Sequence, residues 1–186
     1  MNIELFATLV IAHMLGDFAL QTDQIYKLKT QGGLLGLAVH VFIHLIAITL
    51  LIERTPELLI FLLNLGLVHY AVDWIKLQTK SDRNAIAFLL DQVAHFSHLV
   101  LLAWMFPEIQ GIIPVPWVYG LAIYSILPGI AMCLWVWAFD QEGRVSDSQL
   151  AAEWRISMKP ISQAFGIPLV VCMVFSAAIL VVQFIG

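Results

Sequence analysis

Charge is the first thing this chain lacks. Of its 186 residues, 12% are Asp, Glu, Lys or Arg and 61% are hydrophobic. A soluble domain carries about 25% charged and 45–50% apolar residues, so a water-facing enzyme and a disordered segment are excluded and lipid is the expected solvent. A basic surplus is missing as well. Nine Lys and Arg stand against 13 Asp and Glu, which leaves nothing to neutralise a phosphate backbone and excludes nucleic acid as a partner. Cysteine is scarce: Cys133 and Cys172 both fall inside apolar runs, where a thiol behaves as a small hydrophobe, and a disulfide scaffold is excluded. There is no phosphate-cradling glycine loop, no Gly-x-Ser-x-Gly elbow and no His-Glu-x-x-His zinc signature.

What is there is apolar length. At about 20 residues per crossing, six stretches read as membrane helices: 5–21, 34–52, 58–75, 85–106, 117–139 and 161–185. The expected fold is all-α and polytopic, with the first four spans (1–106) forming one bundle and two further spans following in 107–186. The first span is not a cleavable signal, because Glu4 precedes it in place of a basic region and its apolar run contains His13 and Asp17. Pro128-Gly129 is expected to kink the fifth. The longest connection, 140–160, holds Trp154, Arg155 and Lys159.

Orientation follows from the cations. Lys27 and Lys29 follow span one, Lys76, Lys80 and Arg83 follow span three, and Arg144, Arg155 and Lys159 follow span five; only Arg54 lies elsewhere. The positive-inside rule places those three loops in the cytoplasm and both termini outside.

The remaining polarity is concentrated. All six histidines lie within the spans, joined by Asp17, Asp73 and Asp91. An Asp at the centre of a spanning helix costs about 2.5–3.5 kcal/mol, so three unpaired ones would cost roughly 8–10. Spacing suggests the compensation. Each of the first four spans carries one pair four residues apart: His13/Asp17, His40/His44, His69/Asp73 and Asp91/His95. Members of such a pair share a helix face and reach a common ion. Given the alternating direction of the spans, all four pairs occupy one layer roughly 3–15 Å below the cytoplasmic interface.

Eight converging ligands exceed the needs of one ion, so two divalent ions are the expected cofactors. Their binding, on the order of 10–16 kcal/mol for a structural metal, offsets the burial cost. Mixed imidazole and carboxylate ligation suits Zn, with Mn or Fe as alternatives. Gln21, one turn beyond Asp17, and Gln92, beside Asp91, are candidates to orient ligands. His98 shares the face of Asp91 and His95, either as a proton-transfer group or as a satisfied histidine. Lys27 and Lys76 stand at the inner mouth, to attract an anionic head group or simply to anchor the spans.

Together, His13-x-x-Gly16-Asp17-x-x-x-Gln21, His69-x-x-x-Asp73-x-x-Lys76 and Asp91-Gln92-x-x-His95 resemble an uncharacterised family of small bacterial and phage integral membrane proteins, a domain of unknown function. The pattern covers about residues 5–100. The resemblance implies a bacterial inner-membrane location and no established reaction. More distantly, the His-x-x-x-Asp pairs are similar to those of the zinc-dependent phospholipase C superfamily, although that superfamily's N-terminal amine ligand has no counterpart here.

Chemistry then suggests a metal-dependent hydrolase acting on a lipid or lipid-linked (phospho)ester at the cytoplasmic side, with Asp17, Asp73 and Asp91 as ligands and one of them as general base. Membrane lipid is the expected partner. The alternative is a divalent-metal or proton-coupled transporter. A di-iron lipid oxidase comes third, because bundle di-iron sites use several glutamates and none lies within the four spans.

Overall fold

In a computed structural model the protein is described over residues 1–79 and 84–142, with Ala164 and Val171 the only described positions beyond. The expected sixth span lies outside the described residues, as does the 140–160 connection apart from its first three positions. Among the described residues every regular element is helical: α1 (Ile3–Met14), a π-helical turn (Leu15–Ala19), α2 (Asp23–Gln31), α3 (Gly33–Thr49), α4 (Leu58–Gln78), α5 (Asn84–Met105) and α6 (Val115–Glu142). The segments Leu58–Gln78, Ala85–Met105 and Val115–Ala138 are long and apolar enough to cross a membrane, and α1 with its bent continuation makes a fourth if counted as one span. At 17 residues, α3 is shorter.

α1 is the axis of the bundle. Nine of its 12 residues are buried, on every side, as expected of a helix that is apolar all round. It packs on α3, α5 and α6, while α3, α4, α5 and α6 pack in sequence around it. The core it organises includes Leu5, Leu9, Ile48, Phe61, Leu65 and Leu102. Large apolar side chains also face outward, among them Leu63, Leu67, Leu90, Trp104 and Ile123. A soluble protein rarely exposes such a surface, and lipid requires it.

The end of the bundle away from the cation-rich loops is knitted by backbone hydrogen bonds. Asn2 caps α1 by accepting from the Leu5 N–H at 2.9 Å, and its amide donates to the carbonyls of Pro107 (2.9 Å) and Ile109 (2.8 Å). Ile52 and Gly111 form an isolated antiparallel bridge between the α3–α4 and α5–α6 connections. These ties explain why α3 stops at Thr49 while the apolar run continues to Ile52: the last residues leave the helix to pair with another loop. α6 continues through Pro128 as one helix.

At the other end, the first connection is not the plain loop that the Gln31-Gly32-Gly33 punctuation suggests. It contains α2, capped by Thr22, whose hydroxyl accepts from the Ile25 N–H at 3.3 Å. α2 is bent 93° from the helix before it and turns back onto α3 through Gly33, whose φ of +61° lies in the left-handed region that favours glycine. The two helices touch so closely that a Cβ on Gly36 would lie 1.8 Å from the Leu28 carbonyl oxygen. Gly36→Ala should therefore push α2 off α3 and cost about 1–3 kcal/mol. Gly120→Ala, whose Cβ meets nothing within 4 Å, should be neutral or slightly stabilising. Thermal unfolding of the two variants in detergent checks the contrast.

Candidate metal centre

Four of the helices bring their i,i+4 pairs to one place. The rings of His13, His40, His44, His69 and His95 pack together, with the His44–His69 and His69–His95 centroids 4.1 and 4.2 Å apart. His40, Asp73 and His95 are 0–2% exposed, and His13, His44, His69 and Asp91 at most 6%. Each imidazole presents Nε2 to a carboxylate. Within pairs, His13–Asp17, His69–Asp73 and His95–Asp91 all measure 3.5 Å. Between helices, His40 and His44 each lie 3.3 Å from Asp17 Oδ1, His40 lies 3.4 Å from Asp73 and His95 lies 3.7 Å from Asp73.

These separations are chemically informative. A charge-assisted hydrogen bond between nitrogen and oxygen spans about 2.7–2.9 Å. Two ligands about 2.0–2.1 Å from a shared tetrahedral ion lie about 3.4 Å from each other. The His–Asp pairs of the cluster lie nearer the second spacing. Correspondingly, Nε2 of His13, His44, His69 and His95, Oδ1 of Asp17 and of Asp91, and both oxygens of Asp73 are buried without a well-aligned hydrogen bond. Buried polar atoms of native proteins nearly always have a partner; Asp73 Oδ1 has the Lys29 ammonium, and the other seven, facing one another, mark a place built for something else.

The donor atoms sort into sets. Asp17, His40, His44 and His69 converge within 4.8 Å of one another, and so do Asp73, Asp91 and His95; His13 forms a third set with His69 and His95. The first two share no residue. Four protein ligands make a closed tetrahedral site, and three leave a position open for water or substrate.

Local backbone features deliver these side chains. The π-helical turn Leu15–Ala19 carries Asp17 to the rings of α3, one residue out of α-helical register; such turns favour functional sites. Gly16 makes the approach feasible, since a Cβ there would lie 2.3 Å from the His44 ring.

Two lysines complete the electrostatics. Lys29, on α2, is buried with Nζ 2.7 Å from Asp73 Oδ1 and 3.0 Å from His40 Nε2. Burial would lower its ammonium, but the carboxylates of Asp17 and Asp73 outweigh burial and hold it above its ordinary value. A lysine only donates, so His40 accepts at Nε2; the Gln21 side-chain amide lies 3.4 Å from its Nδ1. Lys76 pairs with Asp91 Oδ2.

Of the flanking candidates, Gln92 donates to Asp17 at 3.4 Å and to Asp91 at 3.3 Å, the orienting role its sequence position suggests. Gln21 orients a histidine instead of the carboxylate one turn before it. His98 turns to Asn64, 2.9 Å away, and belongs to none of the three sets. Lys27 is exposed on α2; Lys29, two residues on, enters the cluster in its place. Lys29 was legible only through the Thr22 cap, which starts a helix whose inner face runs from Ile25 to Lys29.

On the side toward the α1 N-terminus, the cluster meets an almost dry seal. A void of about 10 Å³, bounded by His13, His44 and His69 and otherwise by Leu9, Ala12, Ile48, Leu65 and Leu99, is about the least that admits one water. No curated protein and no solved structure matches the chain. Residues 5–116, which hold the whole cluster, match the family described as proteins of unknown function, DUF3307, and the chain belongs to that family.

Proposed function

We propose that this protein is a six-span hydrolase of the bacterial inner membrane, both termini outside, with a two-metal centre that cleaves a lipid-borne phosphoester at the cytoplasmic face. The observation that carries the reading is the 3.3–3.5 Å ligand spacing among buried atoms that lack hydrogen bonds, the separation expected around tetrahedral Zn. The closed set (Asp17, His40, His44, His69) would hold one ion and the open set (Asp73, Asp91, His95) the other. Bound there, the ions supply Lewis acidity and a water of near-neutral pKa.

Charge favours a phosphoester over a neutral ester. Three aspartates against Lys29 and Lys76 leave the protein wall with one negative charge when the histidines are neutral. Two divalent cations turn that into three positive charges, and a low-dielectric site with such a surplus calls for an anion. Lys76 is 35% exposed and grips Asp91, so the open set is the one that faces the way in. Asp91 Oδ1 turns to His95 while Oδ2 turns to Lys76 and Gln92; Asp91 would take the proton of an attacking water as Lys76 leaves Oδ2 for the phosphate. The two lysines would hold the phosphate oxygens as charge develops on them. The apolar seal argues against transport, which needs a polar route to the far side.

Elemental analysis of the detergent-purified protein should find about two ions per chain, Zn foremost. Asp91→Asn should keep about one, because the closed set is intact, yet lose lipid phosphoester hydrolysis about 10²–10⁴-fold. Asp73→Asn and His40→Ala should lower the metal content as well. Metal-free protein, or turnover unchanged in Asp91→Asn, would sink the reading.

A separate check needs no substrate. Gly16→Ala leaves every ligand in place but drives a methyl group into the His44 ring. Competition with a chromogenic chelator should show the metal affinity falling about 10–100-fold, as for other losses of ligand positioning. Gln92→Ala should do the same.

A further inference from the structure

Between α5 and α6 an apolar groove of about 470 Å³ opens on the outside of the bundle formed by the described residues, within the range of small-molecule pockets. Its α5 wall runs from Phe88 to Val100 and its α6 wall from Ile126 to Leu134. From Phe88 to Val100 is about 18 Å of helix, close to half of a ~30 Å hydrocarbon core. The groove is one leaflet long.

Its two ends differ. Near the cytoplasmic start of α5, Gln92 lines the groove and donates to the cluster carboxylates Asp17 and Asp91. Phe88 lines it too, and the Lys76 ammonium lies 5.6 Å from the Phe88 ring. The groove therefore begins against the metal centre, beside a half-exposed cation. From there to Val100 the α5 wall is apolar apart from Ser97. Helices that dock on one another in membranes do so through stripes of small residues; these walls are mostly Leu, Ile, Val and Phe, with Ser97 and Gly129 on opposite walls and no stripe on either.

We infer that the groove binds one hydrocarbon chain of a cytoplasmic-leaflet lipid whose anionic phosphate head lies at Lys76. The head's chemistry rests on the phosphoester reading above, whereas the chain site rests on the groove alone. A substrate held this way keeps its second chain, if it has one, in the bilayer. It brings its head to the open ligand set without leaving the membrane. Gln92, touching both groove and carboxylates, is the positioning residue between chain and chemistry.

The test uses the full-length protein in phosphatidylcholine nanodiscs containing a trace of phosphatidic acid with a diazirine near the end of one chain. Photolysis and mass spectrometry should place the label on groove residues such as Val93, Ser97 and Cys133 in preference to the outward face of α4 at Leu63 and Leu67. Unlabelled phosphatidic acid should compete, and added phosphatidylcholine should not. Cys133→Trp should abolish groove labelling with the metal content unchanged. Lys76→Gln should reduce the preference for phosphatidic acid over a matched phosphatidylcholine probe about fivefold, the effect of one interfacial cation. Equal labelling of all outward faces would overturn the proposal, as would a Cys133–Cys172 disulfide formed on oxidation in membranes, which would give the groove to the segment 161–185. Metal measured in the same samples separates the two readings: groove labelling without metal sinks the centre and leaves the chain site, and metal without groove labelling does the reverse.

Discussion

An aspartate held among hydrocarbon costs about 2.5–3.5 kcal/mol unless a counter-charge lies within a few ångströms, and three of them meet in the middle of this bundle. Compensation for that cost sets the rest of the architecture. It requires that Asp17, Asp73 and Asp91 lie near one another, because a shared set of cations compensates all three at once. It requires that histidines sit one turn away on the same helix faces, where they reach the carboxylates without unwinding the backbone. It also brings in Lys29, among the described residues the one cation whose side chain is nearly enclosed. Lys29 has no helix long enough to cross the membrane and enters on α2 folded against α3.

Lysines alone leave the account open. Lys29 and Lys76 each satisfy one carboxylate oxygen, while His13, His44, His69 and His95 face carboxylate oxygens with Nε2 free of any well-aligned hydrogen bond, at separations that suit shared ligation. A purely structural polar core would have closed those gaps with direct hydrogen bonds, because half-satisfied networks are less stable than apolar packing. The proposed cations would relieve the mutual repulsion of these groups, for which the cluster would be a preorganised set of ligands. Gly16 and the π-helical turn are the local distortions that this preorganisation demands.

How much of this was legible in the sequence follows from which interactions are local. The four pairs were legible because their spacing is a property of a single helix, and a charged residue in an apolar run stands out. Their convergence was legible because alternating spans put them at one depth. The π-helical turn was not, because its sequence, Leu15–Ala19, is apolar but for Asp17 and its cause is a tertiary contact, His44 against Gly16. Nor was the burial of Lys29: the cations after span one look alike, and only the direction of α2 decides that Lys29 turns in and Lys27 out. Gln21 and His98 were placed on the correct faces but given the wrong neighbours or none. Helix periodicity fixes a direction from the axis and says nothing of which residue on the next helix, His40 or Asn64, stands there.

The bundle is also polar in the directional sense. Toward one end its core is Leu, Ile and Phe, closed by Asn2 and the Ile52–Gly111 bridge; toward the other it is His, Asp and Lys, with Lys76 partly open. A transporter alternates access between two such ends and would need both to yield, whereas one end here is tied by hydrogen bonds that join Asn2 and two connections. A hydrolase of lipid needs only one way in, and it benefits when the far side is dry, since every charge interaction at the site is then stronger. A sideways path also removes the need for a large aqueous opening. Hydrocarbon can stay in hydrocarbon along α5 and α6, so the only group that must leave water is the one to be cleaved, and the positive charge proposed at the site compensates that step.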